Sequence, residues 1–169
     1  MSIKVTLATI AIIVALGSIT ANGFINSALG QQSFSAELSG GEEVPPVDTN
    51  ATGIANFQDN VQTVNYQLSV SDLVNVTQAH IHRGEEGENG KIVVTLYNTT
   101  MPTGPMSGLL SQGNITAANL VGPLAGQQLT DLISIMDNGT AYVNVHTEEF
   151  KLGEIRGQIG GGDTTDEEG

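Results

Sequence analysis

Hydrophobic and polar residues alternate along most of the chain between residues 33 and 159. The clearest case is the segment 63–70, where Tyr66, Leu68 and Val70 are separated by polar residues. A period of two is typical of a β-strand that buries one face. The same pattern, bounded by turn-forming residues, predicts eight short strands over residues 33–38, 52–58, 63–70, 76–82, 92–97, 109–115, 140–147 and 154–159.

One segment has a helical pattern instead. Leu129, Leu132, Ile133 and Met136 recur at spacings of three and four, and Asn138-Gly139 follows as a C-terminal stop signal. We predict one short helix over residues 127–137. Seven or eight short strands with a single helix indicate an all-β fold, an antiparallel sandwich or barrel.

The N-terminal 30 residues differ in character from the rest. Lys4 is followed by a small and apolar run, Val5–Leu16, and then by the small-residue sequence Ala28-Leu29-Gly30. This order predicts a secretory signal peptide that is cleaved before Gln31. The alternative is an N-terminal anchor that stays uncleaved, and only in that case would the protein be attached to a membrane.

The C-terminal residues 160–169 are rich in glycine and acidic residues and contain no large apolar side chain. Such a composition cannot bury enough surface to order a chain. We therefore predict a disordered acidic tail, which leaves residues 31–159 as the single folded domain.

Five Asn-x-Thr sequons are spread over the predicted domain. They can accept N-linked glycans only if the chain is exported in a cell with the required enzymes. Together with the predicted signal peptide they indicate a secreted or cell-surface glycoprotein. The candidate acceptors are Asn50, Asn75, Asn98, Asn114 and Asn138.

Charge and composition exclude several function classes. The formal net charge is -13, the isoelectric point is near 4.2, and the chain has no cysteine. Nucleic acid is excluded as a partner, because its phosphates require lysine and arginine. Disulfides and thiolate chemistry are excluded as well. No serine or cysteine lies in a nucleophile motif, so we assign no catalytic residue. An enzymatic function is therefore less favoured than a binding function.

The three histidines of the chain are the main candidates for chemistry. His80 and His82 are two residues apart on one predicted strand, so both point to the same face. His146 lies on another predicted strand, and three imidazoles would meet if the two strands were neighbours. A set of three histidines suits Zn or Cu with an open fourth position. Glu154 is then a candidate fourth ligand or a hydrogen-bonding partner of a ligand.

A plainer interpretation remains open beside the metal site. The same polar side chains could form a ladder of cross-strand hydrogen bonds that fixes the strand register. Either way, the apolar residues of these strands should face the core and the histidines the outer side of the sheet. Tyr142, Asn144 and Arg156 share that outer side, and the loops 40–50 and 98–108 are long enough to cover it.

Several segments together resemble one known family. They are Ser39–Val47, Ala51–Gly53, His80–Gly84, Tyr142–Thr147 and Gly153–Ile159. In this order they resemble the CHRD domain, over roughly residues 34–159. The resemblance implies an immunoglobulin-like β-sandwich and supplies no catalytic role.

Two functions are therefore expected. The first is an exported binding module for an unknown extracellular protein or glycan. The alternative is a mononuclear Cu or Zn protein that uses His80, His82 and His146, with redox activity as one option.

Overall fold

A computed structural model describes residues 31–60 and 62–161. The predicted signal peptide and residues 162–169 of the predicted tail lie outside the described residues. Within the described ranges, no helix is long and apolar enough to cross a membrane.

The described part consists of nine strands, one α-helix and three short 3₁₀ turns. The strands and the helix are β1 (Ser33–Ser39), β2 (Thr52–Asn60), β3 (Thr63–Val74), β4 (Val76–Arg83), β5 (Lys91–Asn98), β6 (Pro105–Ile115), α1 (Leu129–Asp137), β7 (Ala141–Thr147), β8 (Ile155–Gln158) and β9 (Gly160–Gly161).

The strands form one antiparallel sheet that curls almost into a barrel. Its order is β5-β4-β7-β8-β1-β2-β3-β6, and β9 adds to β1. Side chains tie the two end strands together, because the hydroxyls of Ser111 and Tyr66 both donate to the carbonyl of Leu96, at 2.7 and 2.8 Å. The prediction of an all-β antiparallel fold is confirmed. The immunoglobulin-like sandwich stays a prediction, since the strands follow a single path rather than two separate sheets.

The alternating pattern explains where the core lies. On β1 the buried residues Phe34, Ala36 and Leu38 alternate with exposed polar neighbours, and β2 repeats the pattern in register with it. Burying a side chain of this size contributes roughly 1.5–3 kcal/mol. The barrel interior is therefore filled by the positions that the sequence pattern assigned to it.

The predicted helix is confirmed, and it begins two residues later than expected. Its buried residues are Leu129, Leu132, Ile135 and Met136. Gln128 precedes the first turn, and its backbone N–H donates to the Asp131 carboxylate at 2.9 Å. This bond satisfies one of the free donors at a helix start.

Several boundaries differ from prediction, among them the start of β6 and the start of the predicted tail. Residues 105–108 were expected in a loop, but β6 begins at Pro105, which pairs with Val74. Proline is tolerated there because β6 is an end strand and needs no N–H on its outer side. At the other end of the chain, Gly160 and Gly161 of the predicted tail pair with Ser35 and Phe34 of β1.

Candidate metal centre

The structure brings the three histidines together. β4 pairs directly with β7, placing His80 opposite Asn144 and His82 opposite Tyr142. One ring nitrogen from each of His80, His82 and His146 lies within 4.8 Å of the other two. The closest pair is His80 Nδ1 and His146 Nε2, which are 3.2 Å apart. His80 and His146 are 5 % and 8 % exposed, so the cluster is largely shielded from water.

Two of the rings are oriented by backbone carbonyl groups. His82 Nδ1 lies 3.0 Å from the oxygen of Gly90, and His146 Nδ1 lies 3.0 Å from the oxygen of Lys151. A carbonyl can only accept, so each Nδ1 carries the proton and each Nε2 presents a lone pair. Histidines that bind metals are usually held in this way by their second nitrogen. The Nε2 of His82 is buried and has no hydrogen-bond partner in the described structure.

The surroundings keep the imidazoles neutral. Burial, reinforced by the neighbouring rings of His146 and His82, lowers the pKa of His80 to about 4. Burial also lowers the pKa of His82 and of His146, although the hydrogen bonds to the carbonyls of Gly90 and Lys151 oppose it. Neutral imidazole is the form that coordinates a metal, so an ion would displace little or no proton at neutral pH.

An aromatic and cationic stack forms one wall of the cluster. The Tyr142 ring stacks on the His82 ring, with centroids 4.9 Å apart and planes inclined by 11°. The Arg156 guanidinium carbon lies 3.6 Å from the centroid of the Tyr142 ring, within the range of a cation–π interaction. Arg156 is only 1 % exposed, and its Nη2 donates to the carbonyl of Glu85 at 2.9 Å. The stack thereby attaches the 84–90 loop to the polar face.

Three loops cover this face, and they are not all the expected ones. The loop 40–47 covers it through Glu43, as predicted, but the other cover comes from residues 84–90 and 148–153. The expectation for residues 98–108 is not met. Thr103 and Gly104 instead accept hydrogen bonds from Val76 and Asn75, at the start of β4. The reason is topological, because this loop leaves β5 and enters β6 at the end of the barrel where β4 begins.

A buried acidic group beside the cluster was not predicted. Asn144 Nδ2 donates to both carboxylate oxygens of Glu43, at 2.8 and 3.0 Å. Burial raises the pKa of Glu43 to about 7, although Arg156 and the bond from Asn144 pull it back. Gly153 packs against both groups with φ +132°, and any side chain there would collide with them. Glu43 lies in the segment Ser39–Val47 that resembles the CHRD domain, but nothing local in the sequence shows that this carboxyl reaches Asn144.

Glu154, the proposed fourth ligand, is not brought into the cluster of three histidines. Its carboxylate accepts hydrogen bonds from Thr49 at 2.9 Å and from Thr147 at 2.8 Å. Glu154 is buried, and these bonds join the loop before β2 to the end of β7.

The sequon asparagines are mostly accessible. Asn50, Asn98, Asn114 and Asn138 are exposed. Asn75 is half-buried, and its amide donates to Glu148 at 2.9 Å.

Comparison with known proteins gives one match. The family model described as the CHRD domain matches residues 34–159, which is most of the chain. No curated protein and no solved structure matches. The matched range contains β1–β8, the helix and all three histidines. The chain therefore belongs to the CHRD-domain family.

Proposed function

We propose that the protein binds one transition-metal ion, Cu or Zn, through His80, His82 and His146. The observation that carries the proposal is the convergence of three ligand nitrogens within 4.8 Å of one another. Metal–nitrogen bonds of about 2.0–2.1 Å place two ligands of a tetrahedral ion about 3.3 Å apart. The distance of 3.2 Å between His80 and His146 fits this spacing.

The hydrogen-bonded ladder explains less of this geometry. It accounts for the contact between His80 and His146, where one ring donates to the other. It leaves the Nε2 of His82 buried without a partner, at a cost of about 1–3 kcal/mol. A metal ion would use this lone pair together with the other two. The orphan nitrogen therefore favours the metal site over the ladder.

Three neutral protein ligands would leave one coordination position for a small molecule. A bound Zn²⁺ would activate water there, and a bound Cu would exchange single electrons. The chain's own residues orient the rings and keep them neutral. No side chain is assigned to acid–base or nucleophilic chemistry, so the proposal is metal binding and not a named reaction.

Calorimetric titration of tag-free, metal-free protein with Zn²⁺ and Cu²⁺ tests the proposal. We expect one ion per wild-type chain and binding at least about 100-fold weaker for His82→Ala, because loss of a ligand should exceed the roughly 10–100-fold loss typical of its supporting partners. Gln78→Ala is the matched control. Gln78 lies on the same strand, is exposed, and is the residue paired with His146 on the neighbouring strand β7. Weak and equal binding by the wild type and His82→Ala would exclude the metal site and leave the ladder.

We also propose that the protein works outside the cytoplasm, as a secreted or cell-surface binding module. The leader-like pattern of residues 1–30 supports this location. Four exposed sequon asparagines support it further. The partner would be an extracellular protein or a glycan.

A further inference from the structure

An uncharged surface lies on the strands β1, β2, β3 and β6, away from the histidines in the strand order. Residues that face each other across strands lie on the same side of the sheet. Here two complete cross-strand rows consist only of serine, asparagine and glutamine. We call this surface the amide face; its first row is Ser33, Gln58, Asn65 and Asn114, and its second row is Ser35, Asn56, Gln67 and Gln112.

The amide face is open to solvent and electrically neutral. Seven of its eight residues are exposed, and Asn65 is half-buried. The whole chain, in contrast, has 18 acidic residues and a net charge of -13. None of the eight surface positions carries a charge, so the acidic residues lie elsewhere. Neither an anionic nor a cationic polymer would gain an ion pair there.

Hydrogen bonding is the property that this face offers. Each of the six amide side chains presents two donor hydrogens and one acceptor oxygen, and the serines present both functions. The rows lie about 6.5–7 Å apart, and each spans three strand spacings of about 4.8 Å, or about 14 Å. A shallow depression of about 650 Å³ is lined by seven of these residues and bordered by Tyr66. This length and chemistry match two or three rings of an uncharged sugar chain.

We propose that the amide face binds a neutral polysaccharide. The paired donors and acceptors would exchange bonds with sugar hydroxyls, and the lack of charge would spare the ligand an electrostatic penalty. The acidic surface elsewhere would repel polyanions. The inference is independent of the histidine cluster and does not require a bound metal.

Native gel electrophoresis in gels containing a soluble polysaccharide tests the inference. The probes are dextran, hydroxyethyl cellulose and galactomannan, with alginate as the anionic control. Protein is made in a host without N-glycosylation, so that the Asn114 side chain stays free. The test variant is the double substitution Gln67→Ala/Gln112→Ala, which removes two neighbouring amides of the second row. Gln127→Ala is the matched control, an exposed glutamine outside the face.

We expect at least one neutral polysaccharide to retard the wild type and Gln127→Ala equally, while alginate does not. Loss of two hydrogen-bonding side chains should weaken retardation about 10-fold or more in the double variant. Gln67→Glu should also weaken it while preserving the size of the side chain. Retardation by none of the neutral probes, or equal retardation of the double variant, would overturn the inference. A wild-type dimer that the double variant dissociates would also overturn it, since the face would then bind a second copy.

Discussion

His82 and Tyr142 hold the backbone of one residue, Gly90, through its carbonyl and its N–H group. His82 Nδ1 donates to the carbonyl of Gly90, and the N–H of Gly90 donates to the Tyr142 hydroxyl, both at 3.0 Å. The two rings stack on each other in addition. The conformation of the 84–90 loop therefore sets the orientation of a candidate metal ligand.

The Tyr142 hydroxyl should support metal binding through this relationship. Tyr142→Phe keeps the stack but removes the acceptor for the Gly90 N–H. We expect metal affinity to fall about 10-fold, as for other groups that orient a ligand. The free energy of unfolding should fall by about 1 kcal/mol. Competition with a chelator and urea unfolding measure the two effects, and Tyr97→Phe on β5 serves as control. Unchanged metal affinity would show that the stack alone orients His82.

Gly153 should be irreplaceable because of crowding and not only because of its backbone angle. Gly153 and Gly87 both have positive φ, +132° and +77°, but Gly87 has no heavy atom within 4 Å of an added side chain. Gly87→Ala should lower the free energy of unfolding by about 1–2 kcal/mol, the usual cost of a left-handed backbone conformation for a residue with a side chain. Gly153→Ala should cost about 1–3 kcal/mol more, because Asn144 and Glu43 must move. Equal losses in thermal or urea unfolding would contradict the packing argument.

Glu154 should stabilise the fold and take no part in metal binding. We expect Glu154→Gln to keep the metal affinity of the wild type and to lower the free energy of unfolding by about 1–3 kcal/mol, through its bonds to Thr49 and Thr147. Titration calorimetry and urea unfolding of the same preparation separate the two effects. A 100-fold loss of metal binding at unchanged stability would instead make this carboxylate the fourth ligand.

Acid should destabilise the metal-free protein through the histidines. Their pKa values are lowered in the folded state, to about 4 for His80. The unfolded chain, with histidine pKa values near 6.5, therefore takes up protons first as the pH falls. Each additional proton bound by the unfolded chain removes about 1.4 kcal/mol per pH unit. Stability should thus decline from about pH 6.5 towards pH 4, as urea unfolding at a series of pH values would show.

Glu43 should oppose the effect of the histidines on the pH dependence of the free energy of unfolding. Its folded pKa of about 7 lies above the ordinary value of 4.5, so the folded state gains a proton first between pH 7 and 4.5. This proton uptake by the folded state offsets the destabilisation that about one of the three histidines causes in acid. Glu43→Gln removes the offset, and its stability should fall more steeply with acid than that of the wild type. Parallel pH profiles would contradict the shifted pKa of Glu43.

Export predicts a definite N-terminus. N-terminal sequencing and mass spectrometry of the native protein should find a chain that starts near Gln31 outside the cytoplasmic membrane. Recovery of a cytosolic chain that begins at Met1 would end the proposal of export. Recovery from the membrane with Val5–Leu16 intact would support the anchor instead.

The strands and the shared face of His80 and His82 follow from the sequence by itself. Alternation is a local property, because each residue's direction depends only on its position in its own strand. The same reasoning predicted a helix over residues 127–137, where the apolar spacing changes to three and four, and the structure has it at Leu129–Asp137. Local patterns therefore predicted the fold class and the candidate ligands.

Only the tertiary structure decided which strands are neighbours and what covers the polar face. The pairing of β4 with β7 joins residues that are 58 to 71 positions apart, and no local pattern specifies it. The carbonyls of Gly90 and Lys151 select the ring nitrogens that face inwards. Burial under three loops keeps these rings neutral and raises the pKa of Glu43. Such properties arise from contacts between distant segments, so they exist only once the chain has folded.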